Sequence, residues 1–191
     1  MRSTPDLGTA LLAHARAAIG DVLGAAVTAP AAHAALALPG ASFVTLHDDG
    51  GLRGCIGSVE AWRLLGADVR ANAVAAAFHD PRFAPLARNE FAAITIEVSV
   101  LGRIQRLPMG DEDETLARLH PRVDGVILEY GSRRATFLPK VWEQLPDPRE
   151  FLAALKHKAG LPVDFWSADL TVSRYSVVRF DDATAAAGAM S

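Results

Sequence analysis

The sequence predicts an α+β fold in which helices are interspersed with strands that pair in a largely antiparallel or mixed sheet. Two stretches read as hairpins around turn residues, one segment alternates apolar and polar side chains, and the helical patterns fall between them. The chain has 191 residues, of which 50% are hydrophobic and 21% charged, enough apolar side chain for a core in one domain or two small lobes. The domain is expected over 1–183, with a flexible, alanine-rich tail over 184–191.

The first helix is expected to run to about Leu23: Ser3 and Thr4 offer N-caps, Pro5 suits the first turn, and Leu7, Leu11, Leu12, Ala15, Ile19 and Val22 recur at helical spacing. Gly24 to Gly40, interrupted by Pro30 and Pro39, leaves room for a short helix between turns. Ser42 to His47 and Leu52 to Val59 form a hairpin around Asp48-Asp49-Gly50-Gly51. Leu65, Val69, Ala73, Ala76 and Ala77 mark one face of a second helix that Pro81 stops. Ile94 to Val100 alternates strictly and is a strand with one face in the core.

Asp111-Glu112-Asp113-Glu114 suits the first turn of a short helix, where acidic groups meet the positive end of the dipole. Val126 to Tyr130 and Arg134 to Leu138 make a second hairpin, Pro148 to Lys158 another helix, and Leu170 to Phe180 a last strand. No fixed-period repeat is present.

Composition narrows the function classes. A net charge of -3 and a pI near 6.0 lack the basic footprint of a nucleic-acid binder. No apolar run reaches the roughly 20 residues needed for a membrane span, and His14 and Arg16 break the early apolar stretch, which disfavours a signal peptide. A lone cysteine makes neither an internal disulfide nor a multi-cysteine metal site, so no metal is expected and a cytoplasmic location is.

The chemistry concentrates at Leu52-Arg53-Gly54-Cys55-Ile56-Gly57. Gly54 and Gly57 weaken a strand unless a ligand or another backbone comes close. Strand alternation puts Arg53 and Cys55 on one face about 6.6 Å apart, where a guanidinium lowers a thiol's pKa. The competing reading makes Cys55 a small buried hydrophobe and sends Arg53 to solvent. His79, at the end of the second helix, is the best histidine for a Cys–His pair, whereas His47, opposite Leu52, is expected on the face away from Cys55. Asp80 and Arg82 follow in a rigid turn, and Glu97 shares a polar strand face with Thr95 and Ser99.

The order of Leu52-Arg53-Gly54-Cys55-Ile56-Gly57, Asp80-Pro81-Arg82-Phe83 with Pro85, Ile96-Glu97-Val98-Ser99-Val100-Leu101, Thr136-Phe137-Leu138-Pro139 and Lys158-Ala159-Gly160-Leu161 resembles the AMMECR family, called AmmeMemoRadiSam system protein A in bacteria and archaea. The resemblance covers about Leu7 to Phe180. It implies two unequal lobes, with the Arg53-Gly54-Cys55 strand near a cleft. It also implies association with a Memo-type protein and a radical S-adenosylmethionine protein, which carry the metal and cluster ligands themselves. The motif begins at Asp80 and leaves His79 outside it.

Two functions follow as expectations. In one, the chain is a thiol-dependent enzyme on a small molecule: Cys55 is catalytic, and Arg53, Gly54, Gly57, Asp80, Arg82 and Glu97 form the substrate site. In the other it is a noncatalytic adaptor or ligand-binding module. The sequence names no cofactor for either.

Overall fold

The computed structural model describes residues 6–108 and 110–182. The expected tail lies outside the described residues, as do Ser3, Thr4 and Pro5. The cap of helix α1 (Leu7–Leu23) is instead Asp6, which accepts from the Thr9 amide at 3.0 Å and the Thr9 hydroxyl at 2.8 Å. Gly24 ends the helix at φ 62°, a left-handed cap that favours glycine.

The chain divides into two units. One comprises the described residues of Met1–Val100 and Val178–Ser191, and the other those of Leu101–Val177. In the first, the hairpin β1 (Ser42–Asp48) and β2 (Gly51–Gly57) is joined by β3 (Thr95–Leu101) and β8 (Val177–Asp181) in the order β2-β1-β3-β8. β1 runs antiparallel to both β2 and β3. Helices α1 and α2 (Leu65–Phe78) share one core with this sheet: Leu11, Ile19, Val69 and Ala73 meet Val44, Leu46, Ile96 and Val98. The Gly24–Gly40 stretch holds a single 3-10 turn at Ala34–Ala37, whose Ala35 amide donates to His33 Nδ1 at 3.2 Å.

The second unit has the order β4-β7-β5-β6, from β4 (Gln105–Arg106), β5 (Gly125–Tyr130), β6 (Arg133–Phe137) and β7 (Thr171–Tyr175), with the registered pairs antiparallel. Helices α3 (Glu112–Ala117) and α4 (Pro148–Lys158) border its core, where the Trp142 ring stacks on Phe151 at 3.7 Å. Asp111 caps α3 as the acidic run predicts, and Asp147 caps α4 just ahead of Pro148.

The single last strand expected from Leu170 to Phe180 is two strands in two different sheets, β7 and β8, parted at Ser176. The Gly102 amide donates to the Ser176 carbonyl at 2.8 Å, and a Cβ at Gly102 would collide with the Ser176 hydroxyl. The exit from β3 and the entry to β8 therefore meet at a residue pair that only a missing side chain permits.

Candidate functional site

β2 forms one edge of its sheet, and the residues around Cys55 are fixed by what lies against that edge. A Cβ on Gly54 would fall on the Ala76 carbonyl oxygen of α2, and one on Gly57 would enter the ring of Phe43, its register partner. Both glycines thus serve close packing within the protein. The hairpin register passes from Leu46↔Gly54 to His47↔Leu52, which leaves Arg53 as an extra residue on β2, a β-bulge. Because β1 stays regular against β3, with Thr45↔Glu97 and His47↔Thr95, His47 shares the face of Thr45. Thr45 in turn opposes Cys55, so the expectation that His47 faces away from the thiol is corrected: period-two counting across the hairpin has no term for the bulge.

Arg53 is committed to Glu90. Its Nε and Nη2 donate to the two carboxylate oxygens at 2.8 and 3.1 Å, and its side chain is only 14% exposed. The Glu90 carboxylate also takes the Ala87 amide at 2.7 Å, and the Arg53 hydrogen bonds hold its pKa below the ordinary value. The bland alternative of a solvent-facing Arg53 is not what the chain adopts.

Asp80 and Arg82 close the sheet edge at Cys55. The Cys55 amide donates to Asp80 Oδ2 at 2.9 Å, and the Cys55 carbonyl accepts from Arg82 Nη2 at 3.3 Å. Asp80 and Arg82 thereby supply the donor and acceptor that a neighbouring strand would offer. The Asp80 side chain, 2% exposed, also accepts from the Arg82 amide at 3.1 Å, Nε at 3.0 Å and Nη2 at 2.7 Å. The Arg82 guanidinium and the backbone amides of Cys55 and Arg82 hold its carboxyl well below the usual carboxylate range, against the opposing effect of burial. The Asp80 hydrogen bond in turn raises Arg82, and the nearby Cys55 sulfur adds to that shift. The guanidinium that senses Cys55 is thus that of Arg82, whose side chain is 54% exposed.

What remains open is a row across the sheet. Cys55 Sγ is partly exposed and its hydrogen-bond partner is the Thr45 hydroxyl, 3.4 Å away. Next to Thr45 stands Glu97, whose carboxylate takes the Ser99 hydroxyl at 3.4 Å and lies 3.7 Å from Arg179 Nη1 on β8. His79 is not in this row: it is exposed at the end of α2, in the groove with Val22, Arg70 and Val74. Among the described residues no histidine hydrogen-bonds the thiol, and no group of His, Cys, Asp and Glu is placed to hold a metal.

The sequence reading missed Thr45, Glu90 and Arg179, which reach the site only through strand pairing and a loop distant in sequence. It also missed a buried knot at the far end of the hairpin. Asp68, fully buried, accepts from the Ser42 amide at 2.8 Å, the Ser42 hydroxyl at 2.7 Å, Arg63 Nε at 2.7 Å and Asn72 Nδ2 at 2.9 Å. Asp68 and Asn72, four apart on the apolar face of α2, were the available signal.

Fold and site together define a class of α+β proteins with two antiparallel sheets, in which an edge strand capped by an Asp–Arg pair presents a single glycine-flanked thiol. The AMMECR1 family model matches residues 12–180, and the chain belongs to this family. It is 38% identical over 144 residues to Protein MJ0810 of Methanocaldococcus jannaschii, covering 73% of this chain and 72% of that protein. Protein Ta0236 of Thermoplasma acidophilum is 33% identical over 182 residues, 93% of this chain and 88% of its own. Among solved structures, the fold is similar to an uncharacterized protein, PH0010 from Pyrococcus horikoshii, with a TM-score of 0.82, 32% identity, and coverage of 91% of this chain and 90% of that one. No helix among the described residues is long and apolar enough to cross a membrane.

Proposed function

We propose that this protein is a ligand-recognition module without turnover, in which the row Cys55, Thr45, Glu97 and Arg179 contacts a polar small molecule or partner segment. One observation carries this reading. Arg53 and Asp80, the groups best suited to activate a thiol or move a proton, are already consumed in holding β2, while the Cys55 sulfur keeps only a threonine hydroxyl. A nucleophilic cysteine needs a base within hydrogen-bond reach, and Asp80 holds its proton affinity too low and its oxygens too occupied to act as one. The resemblance to AmmeMemoRadiSam proteins supports a role beside a Memo-type protein and a radical S-adenosylmethionine protein, in the cytoplasm, with this chain handling what they transform.

The test is iodoacetamide labelling of Cys55 in the folded chain, alone and with a purified Memo-type protein, alongside a direct binding titration. The expected result is slower labelling in the complex, with binding weakened at least several-fold by Glu97→Gln and little changed by Cys55→Ser. Unchanged labelling and no binding overturn the recognition reading at this face. Labelling that is fast at neutral pH with a low thiol pKa, together with a turnover lost in Cys55→Ser, replaces it with the thiol enzyme.

A further inference from the structure

The loop between α3 and β5 holds a cluster of titratable groups of its own. The Asp124 side chain, 8% exposed, accepts from the His120 backbone amide at 2.8 Å, and its Oδ2 also lies 3.2 Å from His120 Nδ1. Arg174 reaches in from β7: its Nη1 stands 2.7 Å from the same Nδ1, 3.0 Å from the Arg118 carbonyl oxygen and 3.6 Å from Asp124 Oδ2. Its Nε is directed at Gln105 on β4, 3.4 Å away. Trp142 Nε1 donates to the Asp124 carbonyl at 2.7 Å, which fixes the loop's end. On α3, the Arg118 guanidinium is turned to Glu114.

A guanidinium has protons to donate and no lone pair to offer. Its approach to 2.7 Å therefore requires a lone pair on Nδ1, which puts the proton of the neutral ring on Nε2. The carboxylate contact requires the opposite, an N–H at Nδ1. One protonation state cannot serve both neighbours. We propose that His120 is the moving part of a proton-operated latch. Neutral, its Nδ1 accepts from Arg174 and ties the loop to β7; on taking a proton from solvent, Nδ1–H donates to Asp124 and repels Arg174. The ring is 61% exposed, so protons reach it without any opening of the core. The segment under its control carries Arg122 at φ 68°, a left-handed conformation unfavourable for a residue with a Cβ, and the exposed Val123. Release of Arg174 thus loosens a loop that is already held away from its preferred backbone.

The test follows the histidine ring nitrogens of the full-length, 15N-labelled chain by NMR as pH falls from about 8 to about 5, the range in which histidine changes charge. Expected at the upper end is an unprotonated Nδ1 and a protonated Nε2. On acidification the Arg174 Nε–H and the backbone amides of Arg118 to Asp124 shift with the same midpoint as the ring. In His120→Asn, whose side-chain oxygen keeps an acceptor near Arg174 without a titrating group, those shifts vanish. An Nδ1–H tautomer at the upper end, Arg174 signals that ignore the ring's titration, or shifts that persist in His120→Asn each overturn the latch. The wild-type titration decides the matter alone if the variant does not fold.

Discussion

At Cys55 the side chain and the backbone of one residue have separate duties. The amide and carbonyl are held by Asp80 and Arg82, and the sulfur is left beside Thr45. Asp80 therefore belongs to the stability of the edge strand before it belongs to any chemistry. Asp80→Asn keeps an acceptor for the Cys55 amide but points N–H groups at Arg82, and is expected to cost about 1–3 kcal/mol in urea unfolding. Cys55→Ser should cost less than about 1 kcal/mol, because the sulfur is partly exposed and makes one weak hydrogen bond. If Asp80→Asn unfolds like the parent and loses only ligand binding, the strand-clamp role is wrong and Asp80 is a ligand contact. These duties were half legible in the sequence. The glycines around Cys55 and the Asp80-Pro81-Arg82 turn mark the place, but nothing local says that Asp80 serves the Cys55 backbone or that Arg53 belongs to Glu90, 37 positions on. Long-range hydrogen bonds to main chain leave no periodicity to read.

At the level of elements, the same strand is fixed on its two sides by different kinds of neighbour, and glycine substitutions separate them. At Gly54 a new Cβ meets the Ala76 carbonyl, part of the backbone of α2, so the helix itself has to move. At Gly57 the obstacle is the Phe43 ring, which can rotate away. Gly54→Ala is expected to lower stability by about 3 kcal/mol or more, and Gly57→Ala by roughly 1–2 kcal/mol, read as the difference in urea midpoints at constant slope. Equal losses at the two positions would show that α2 is free to shift off the strand. The elements themselves were largely readable: alternation found β3, the turn residues found both hairpins, and Pro81 and the acidic run bounded α2 and α3. The failures share a cause. The bulge at Arg53 and the break at Ser176 insert or remove one residue from a regular pattern, and a period-two reading runs through both without notice. The Asp6 cap was missed for a related reason, since Ser3, Thr4 and Asp6 are all good cap residues and only the hydrogen bond to Thr9 chooses among them.

Across the whole molecule, the groups with displaced proton affinities are sorted between the two units, and that sorting predicts opposite pH limits for them. In the first unit, hydrogen bonds hold the Asp80 and Glu90 carboxyls below their ordinary values, and burial holds His14 below its own, with the charge of Arg70 adding to the effect. For each of these groups the folded state binds fewer protons than the unfolded chain. The unit's stability is therefore full above the unfolded values, declines as pH falls below about 6.5 through His14, and declines again below about 4 through the carboxylates. In the second unit, burial pushes the Tyr175 phenol up to about 12, against the smaller effect of its hydrogen bond to Thr136. There the folded state keeps a proton that the unfolded chain loses near pH 10, so stability falls as pH rises beyond that point. Hydrogen exchange, corrected for the intrinsic rate at each pH, reads the two cores separately through Val44, Leu46, Ile96 and Val98 on one side and Val126, Leu128 and Val172 on the other. Acidification should strip protection from the first set before the second, and alkali should reverse the order. Tyr175→Phe should abolish the alkaline loss in the second set while leaving the acid loss in the first untouched. If the acid order is reversed, or if both cores lose protection together at each end, the titrating groups named here do not set the pH limits of the fold.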